Sequence, residues 1–182
     1  MATGAAEQQA LQDLVPKAVF IDDVATFVAG KDTDEVLSEL RGNLQKYKYV
    51  QQEVLRRHQR LLLKEPEIRK CLDAVKLLLE RLEAGEPTVM DFALSSQVFA
   101  RAKVEKPQAV HLWLGAGVML EYTPHEAKDL LETQLEACRL QALVAQSESD
   151  YLRDQITTTE VSMARVYNHG VAVRREQTAV KA

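Results

Sequence analysis

Apolar positions along the chain fall into two long runs at helical spacing, separated by a stretch with a different period. Steps of three and four from Leu37 meet Leu40, Leu44, Tyr47, Gln51, Val54, His58, Leu61, Glu65, Ile68, Leu72, Val75, Leu79 and Leu82, and eleven of these fourteen positions are apolar. That regularity predicts a coiled-coil helix over residues 32–84, opened by the capping sequence Asp32-Thr33-Asp34-Glu35. The register survives Pro66, so the proline either kinks one helix or stands in the first turn of a second. A second seam runs through Leu131, Leu135, Cys138, Ala142, Ala145, Ser149, Leu152, Ile156, Thr159, Met163, Val166, Gly170 and Val173, and ten of the thirteen are apolar. It predicts a helix over residues 123–175, with Gly170 as a point of fraying. Thr123-Pro124-His125-Glu126 launches it: threonine at the N-cap, proline at the first helical position, and glutamate to reach back to the cap.

Between the seams, residues 85–122 change character. Gly85 and Pro87 stop the first helix, and β-prone residues follow in short runs at 89–94, 97–105, 109–114 and 118–122. Gly115-Ala116-Gly117 makes the last turn. It is no dinucleotide loop, since a strand rather than a helix follows and there is no third glycine. Two helices of about 50 residues, roughly 75 Å each, joined by this insert should fold back on each other. The predicted fold is mostly α: a long antiparallel coiled-coil hairpin with two β-hairpins between the helices. Ala142, Ala145 and Ser149 are expected across from the middle of the first helix, where Leu61 needs space. Two hairpins are too small to bury a core alone, so the sheet must be completed elsewhere.

Residues 1–16 are small and polar and read as a loose tail, and 176–182 as a short C-terminal one. In residues 17–31, Val19, Phe20, Val24, Phe27 and Val28 recur at helical spacing, predicting a short amphipathic helix that ends at Gly30. Composition agrees with long helices: aromatic residues are only 5%, with seven glycines and five prolines in 182 residues. The net charge of −4 supplies no basic field for nucleic acid or an anionic membrane. Even the run Arg56-Arg57-His58-Gln59-Arg60 has acidic neighbours in Glu53 and Glu65. No signal peptide or membrane-spanning run is read, and an intracellular protein is expected.

Chemistry is sparse. Cys71 and Cys138 are expected as reduced thiols, and His58, His111, His125 and His169 share no ligand spacing. No serine sits in a nucleophile elbow, and the carboxylates are spread along helix faces. Neither an enzyme nor a cofactor or metal site is expected. Trp113 reads as a residue buried in a sheet core at an interface. The end of the second helix is odder: Thr157-Thr158-Thr159 are poor helix formers, and Val161, Tyr167 and Val171 fall off the seam. Together with Phe20 and Phe27 these apolar groups form an exposed binding surface, or the short N-terminal helix folds back and covers them.

Three stretches, "AVFIDDV" at 18–24, "LWLGAGVMLEY" at 112–122 and "LRDQITTTEVSMARVYN" at 152–168, together with the seams between them, resemble the alpha class of prefoldin subunits. The resemblance implies a hetero-hexamer of two alpha-class and four beta-class subunits, whose hairpins pair into a double β-barrel and whose coiled coils project as tentacles. It implies ATP-independent capture of unfolded chains, actin and tubulin in eukaryotes, with transfer to the cytosolic chaperonin. The expected compartment is then the cytoplasm, with the nucleus left open. By their place at the tip, Val19, Phe20, Phe27, Val28, Val161, Tyr167 and Val171 are the expected client contacts. Assembly is expected to rest on Phe92, Val98, Leu112, Trp113, Leu114, Val118 and Leu120. The competing expectation is a scaffold or tether whose coiled coil only spaces its partners, though a tether has no need of four strands with unpaired edges.

Overall fold

The structure is a computed structural model and describes residues 15–105 and 107–180. The elements run α1 (Val24–Val28), α2 (Thr33–Glu83), β1 (Thr88–Ser95), β2 (Val98–Val104), β3 (Val110–Gly115), β4 (Val118–Tyr122) and α3 (Pro124–Val180). They group into two compact units: one holds Leu61–Leu140, and the other the residues up to Arg60 with those from Gln141 onward.

The helix limits have local causes. Asp32 accepts from the Asp34 amide at 3.3 Å at the start of α2. At its end Gly85, with a φ of 68°, lets its own amide reach the Leu82 carbonyl and the Glu86 amide reach the Arg81 carbonyl. Pro66 lies inside α2, which runs through it without a break. The capping box at α3 is reciprocal: the Glu126 amide donates to Thr123 Oγ1 at 3.3 Å, and the Thr123 amide donates to Glu126 Oε2 at 3.1 Å. At α3's other end the helix passes Gly170 and continues to Val180.

In the unit of Leu61–Leu140, the helices pack antiparallel around Ile68, Leu72, Val75 and Leu79 from α2 and Ala127, Leu131, Leu135 and Cys138 from α3. The Cys138 thiol donates to the Leu61 carbonyl at 3.5 Å. Glu65, the one acid on the α2 seam, meets Arg139 of α3 at 2.9 Å and Arg69 of its own helix at 3.0 Å. Both contacts hold its carboxyl below the usual carboxylate range, the hydrogen bond from Arg139 foremost. The strands form two separate antiparallel pairs, β1 with β2 and β3 with β4. Ala116 and Gly117 make a two-residue turn with φ of 50° and 77°, the geometry that matches strand twist in a tight hairpin.

In the other unit, two clusters hold the helix pair. Tyr47 and Val54 pack with Ala145 and Leu152, so Ala145 faces the first half of α2. Val36 and Leu37 pack with Val166. Arg57 is ion-paired with Glu148, whose side chain is buried. Every position of both predicted seams is buried or half-buried.

The N-terminal segment departs from expectation. Among residues 15–31 only Val24–Val28 is helical, capped by the Asp23 carboxylate, which accepts from the Thr26 amide. Residues 15–23 are neither helix nor strand, yet they are held against α2 and α3. Val15 and Pro16, assigned to a loose tail, belong to this held segment: Val15 is buried, and Tyr47 donates to the Pro16 carbonyl at 2.6 Å. Residues 1–14, 181 and 182 lie outside the described residues.

Candidate functional site

Two surfaces stand out, one in each unit. The first comprises the two strand pairs, β1–β2 and β3–β4. Cross-strand register sorts the side chains of β1–β2 by face: Met90 and Phe92 stand opposite Ala102 and Ala100, while on the other face Asp91 stands opposite Arg101 and is ion-paired with it at 3.4 Å. The apolar face has nothing of this unit's core cluster against it. Phe92 is 62% exposed, and Leu94, Val98 and Phe99 are exposed as well.

The β3–β4 pair divides its residues. Val110, Leu112 and Tyr122 share a face and pack on the helices of their unit. Trp113 and its cross-strand partner Met119 stand on the other face, and Trp113 is 65% exposed, so it fills no core within this chain. Leu114, Val118 and Leu120 are exposed too. Beside this pair is a cleft of about 440 Å³ lined by Ile68, Cys71, Leu112, Trp113, Met119 and Leu131. Of the expected assembly residues, Leu112 therefore serves the chain's own core, and the other six present free apolar surface. Sequence reasoning missed Val89, Met90, Leu94, Phe99 and Met119, which are equally exposed; Met90 and Leu94 follow from the period-two alternation that places them with Phe92, whereas Val89 and Phe99 lie on the opposite face.

The second surface is the helix pair with the segment strapped across it. Val28 was expected on an exposed tip, but it is 8% exposed and packs with Ile21, Val36, Leu37 and Val166. The physical reason is that Val28 follows Val24 by four residues on one face of the short helix, and that face packs on this cluster. Val171 is half-buried. Val19, Phe20, Phe27, Val161 and Tyr167 remain exposed, Val19 at 72%. The two outcomes left open by the sequence are thus both realised, since the segment covers the seam yet presents its own apolar side chains outward. Two of these are flanked by cations: Arg165 lies 5.1 Å over the Phe20 ring and Lys31 5.3 Å over Phe27.

Polar groups under the strap are satisfied by its main chain. The Ala18 amide donates to Gln155 Oε1 at 2.8 Å, Ser162 donates to the Val19 carbonyl at 3.4 Å, and Arg165 donates to the Asp22 carbonyl at 2.9 Å. Burial pushes the Tyr47 phenol above its ordinary range, and Tyr151 adds to the shift, so the neutral donor form is the one held against Pro16. Sequence reasoning found none of Gln155, Ser162 or Arg165, because their partners are main-chain atoms more than 130 residues away. Among the described residues no group of His, Cys, Asp and Glu could hold a metal ion, and no helix is long and apolar enough to cross a membrane.

A helix pair carrying an uncovered strand face has the make-up of an assembly subunit, not of a self-contained domain. The family match and the relatives in sequence agree. The family described as prefoldin subunit matches residues 47–169. Prefoldin subunit 3 of Mus musculus and of Homo sapiens are each 38% identical over 170 residues, spanning 92% of this chain and 87% and 86% of theirs. Prefoldin subunit 3 of Drosophila melanogaster is 37% identical over 171 residues, 92% of this chain and 87% of that one. A filamentous PFD from Methanocaldococcus jannaschii, solved by cryo-EM, aligns over 58% of this chain and 91% of its own at 18% identity, with a TM-score of 0.41. The chain belongs to the prefoldin family and is a subunit of a co-chaperone.

Proposed function

We propose that this chain is an alpha-class subunit of a hetero-hexamer of two alpha-class and four beta-class subunits. It captures unfolded actin- and tubulin-class chains without ATP and passes them to the cytosolic chaperonin, working in the cytoplasm and performing no catalysis of its own. One observation carries the assembly half. Eleven large apolar side chains of the four strands are exposed on two unjoined strand pairs. A lone two-stranded sheet is marginal in water, and an apolar strand face with free edges invites further strands. Sister subunits of like make-up supply those strands.

Capture rests on the second surface. Val19, Phe20, Phe27, Val161 and Tyr167 offer modest, separated apolar contacts. Several such tips around one cavity raise the effective concentration of each next contact, which suits clients with no fixed shape.

Native mass measurement of the chain alone and with beta-class subunits tests assembly, and suppression of aggregation of unfolded actin tests capture. A hexamer that holds actin in solution is the expected result. A chain that stays monomeric with every beta-class subunit, or a hexamer that leaves actin to aggregate, overturns the proposal. Replacing Phe20, Phe27 and Tyr167 together with serine should weaken actin capture roughly tenfold or more, since burying each side chain contributes about 1.5–3 kcal/mol, and should leave the hexamer intact.

A further inference from the structure

Residues 15–22 meet the helix pair with a period of three. Val15 and Ile21 are buried and Ala18 half-buried, while Pro16, Lys17, Val19, Phe20 and Asp22 face outward. The carbonyls that accept hydrogen bonds, those of Pro16, Val19 and Asp22, repeat at the same interval. A strand would give a period of two and a helix 3.6, whereas an extended polyproline-type chain turns once every three residues. Reach agrees with this. Ala18 is held at Gln155 and Asp22 at Arg165, ten residues along α3, about 15 Å of helix rise. Four residues of chain span at most about 14 Å, so the strap is near full extension and the side chains make up the rest.

The donors and acceptor that hold it, on Tyr47, Gln155, Ser162 and Arg165, all address main-chain atoms. Every peptide carries those atoms. The buried side-chain demand is for an aliphatic group at every third position, and on the outside Arg165 lies over the Phe20 ring. Gln155 and Ser162 are buried beneath the strap, so they are groups that require an occupant with backbone to offer. The strap itself has no ladder of helix or sheet hydrogen bonds in residues 15–22, which puts it among the parts of the fold that open first.

We propose that this groove is a binding site for an extended polypeptide segment with aliphatic residues three apart, and that residues 15–22 are its built-in occupant, displaced when such a segment arrives. The inference rests on the capture reading above, to which it adds a defined site and a competitor. The strap keeps the groove closed until a client is near, and after release it closes the groove again. The exposed Val19 and Phe20 move with it, so one displacement changes both the groove and the outer apolar surface.

The test uses the full chain and a fluorescein-labelled peptide of the strap sequence, VPKAVFID. In the chain carrying Val15→Asp and Ile21→Asp the strap is released, because both buried positions then hold a carboxylate. That variant should bind the peptide at least about tenfold more tightly than the wild type, whose own strap reduces the competent fraction. Adding Gln155→Ala and Tyr47→Phe should then remove most of the gain, and a peptide with aspartate in place of its valine 1 and isoleucine 7 should not bind. Equal binding by wild type and released variant, or none by either, overturns the proposal. Should the released variant lose its helical circular dichroism, the wild type in its hexamer decides. Bound unfolded actin should speed amide exchange at Ala18 while helix amides stay protected, and unchanged exchange at Ala18 overturns the proposal. Aggregation suppression is read separately: a hexamer that holds actin with a silent strap sinks only this inference, whereas one that never holds actin sinks the capture reading.

Discussion

At Gly170 a single added methyl group would meet the start of the first long helix, its Cβ lying 2.8 Å from Cγ2 of Thr33. Glycine within a helix costs about 0.5–1 kcal/mol relative to alanine. Here the close approach makes that cost worth bearing, and the position is buried instead of frayed. Gly170→Ala alone should therefore fail to deliver the usual helix gain. Combined with Thr33→Ser, which removes Cγ2, it should deliver it. Urea unfolding of the two single variants and the double should show a favourable coupling on the order of 1 kcal/mol, and additive effects would contradict the contact.

On the scale of elements, the start of α3 shows how a short motif acts. Glu126 is held below the usual carboxylate range by the backbone amide of Thr123 first and by its hydroxyl second. A depressed carboxyl contributes stability above its unfolded pKa, and that contribution is lost as pH falls through the lower folded value. Glu126→Gln keeps a reaching acceptor without the charge, so its stability should fall less steeply than the wild type's on acidification. Thermal melts at several acidic pH values check this, and parallel curves would contradict it. Further along α3, the three threonines survive in a helix because each hydroxyl donates to the carbonyl four residues earlier, on Arg153, Asp154 and Gln155. Their off-propensity chemistry is absorbed by the helix itself.

For the whole molecule the decisive fact is where apolar surface is left uncovered. Phe92 is 62% and Trp113 65% exposed, and neither is a buried member of a core cluster, so they can change without emptying the helix seams. Phe92→Ser with Trp113→Ser should leave helical circular dichroism unchanged and abolish or strongly weaken hexamer formation in native mass spectra. Loss of helix content in the isolated chain would show that these side chains stabilise the subunit itself. Leu112, one strand position away from Trp113, is the contrasting case: it packs on the subunit's own helices, and its loss should lower the stability of the chain before any partner is present.

The sequence by itself determined the two seams, both caps of the hairpin-flanking helix ends, the four strands and the tight turn at Ala116–Gly117. Each of these is written in residues a few positions apart, through a period of 3.6 or two, a capping pair or a turn glycine. Tertiary structure alone decided the fate of residues 15–28. The bond from the Ala18 amide to Gln155 joins positions 137 apart, and no local period announces it. A segment that lies in a groove takes its period from the chain's extension and its depth from the partner helices. For that reason Val15 left the tail for the core, and Gln155 and Ser162 became buried polar groups with a strap to hold.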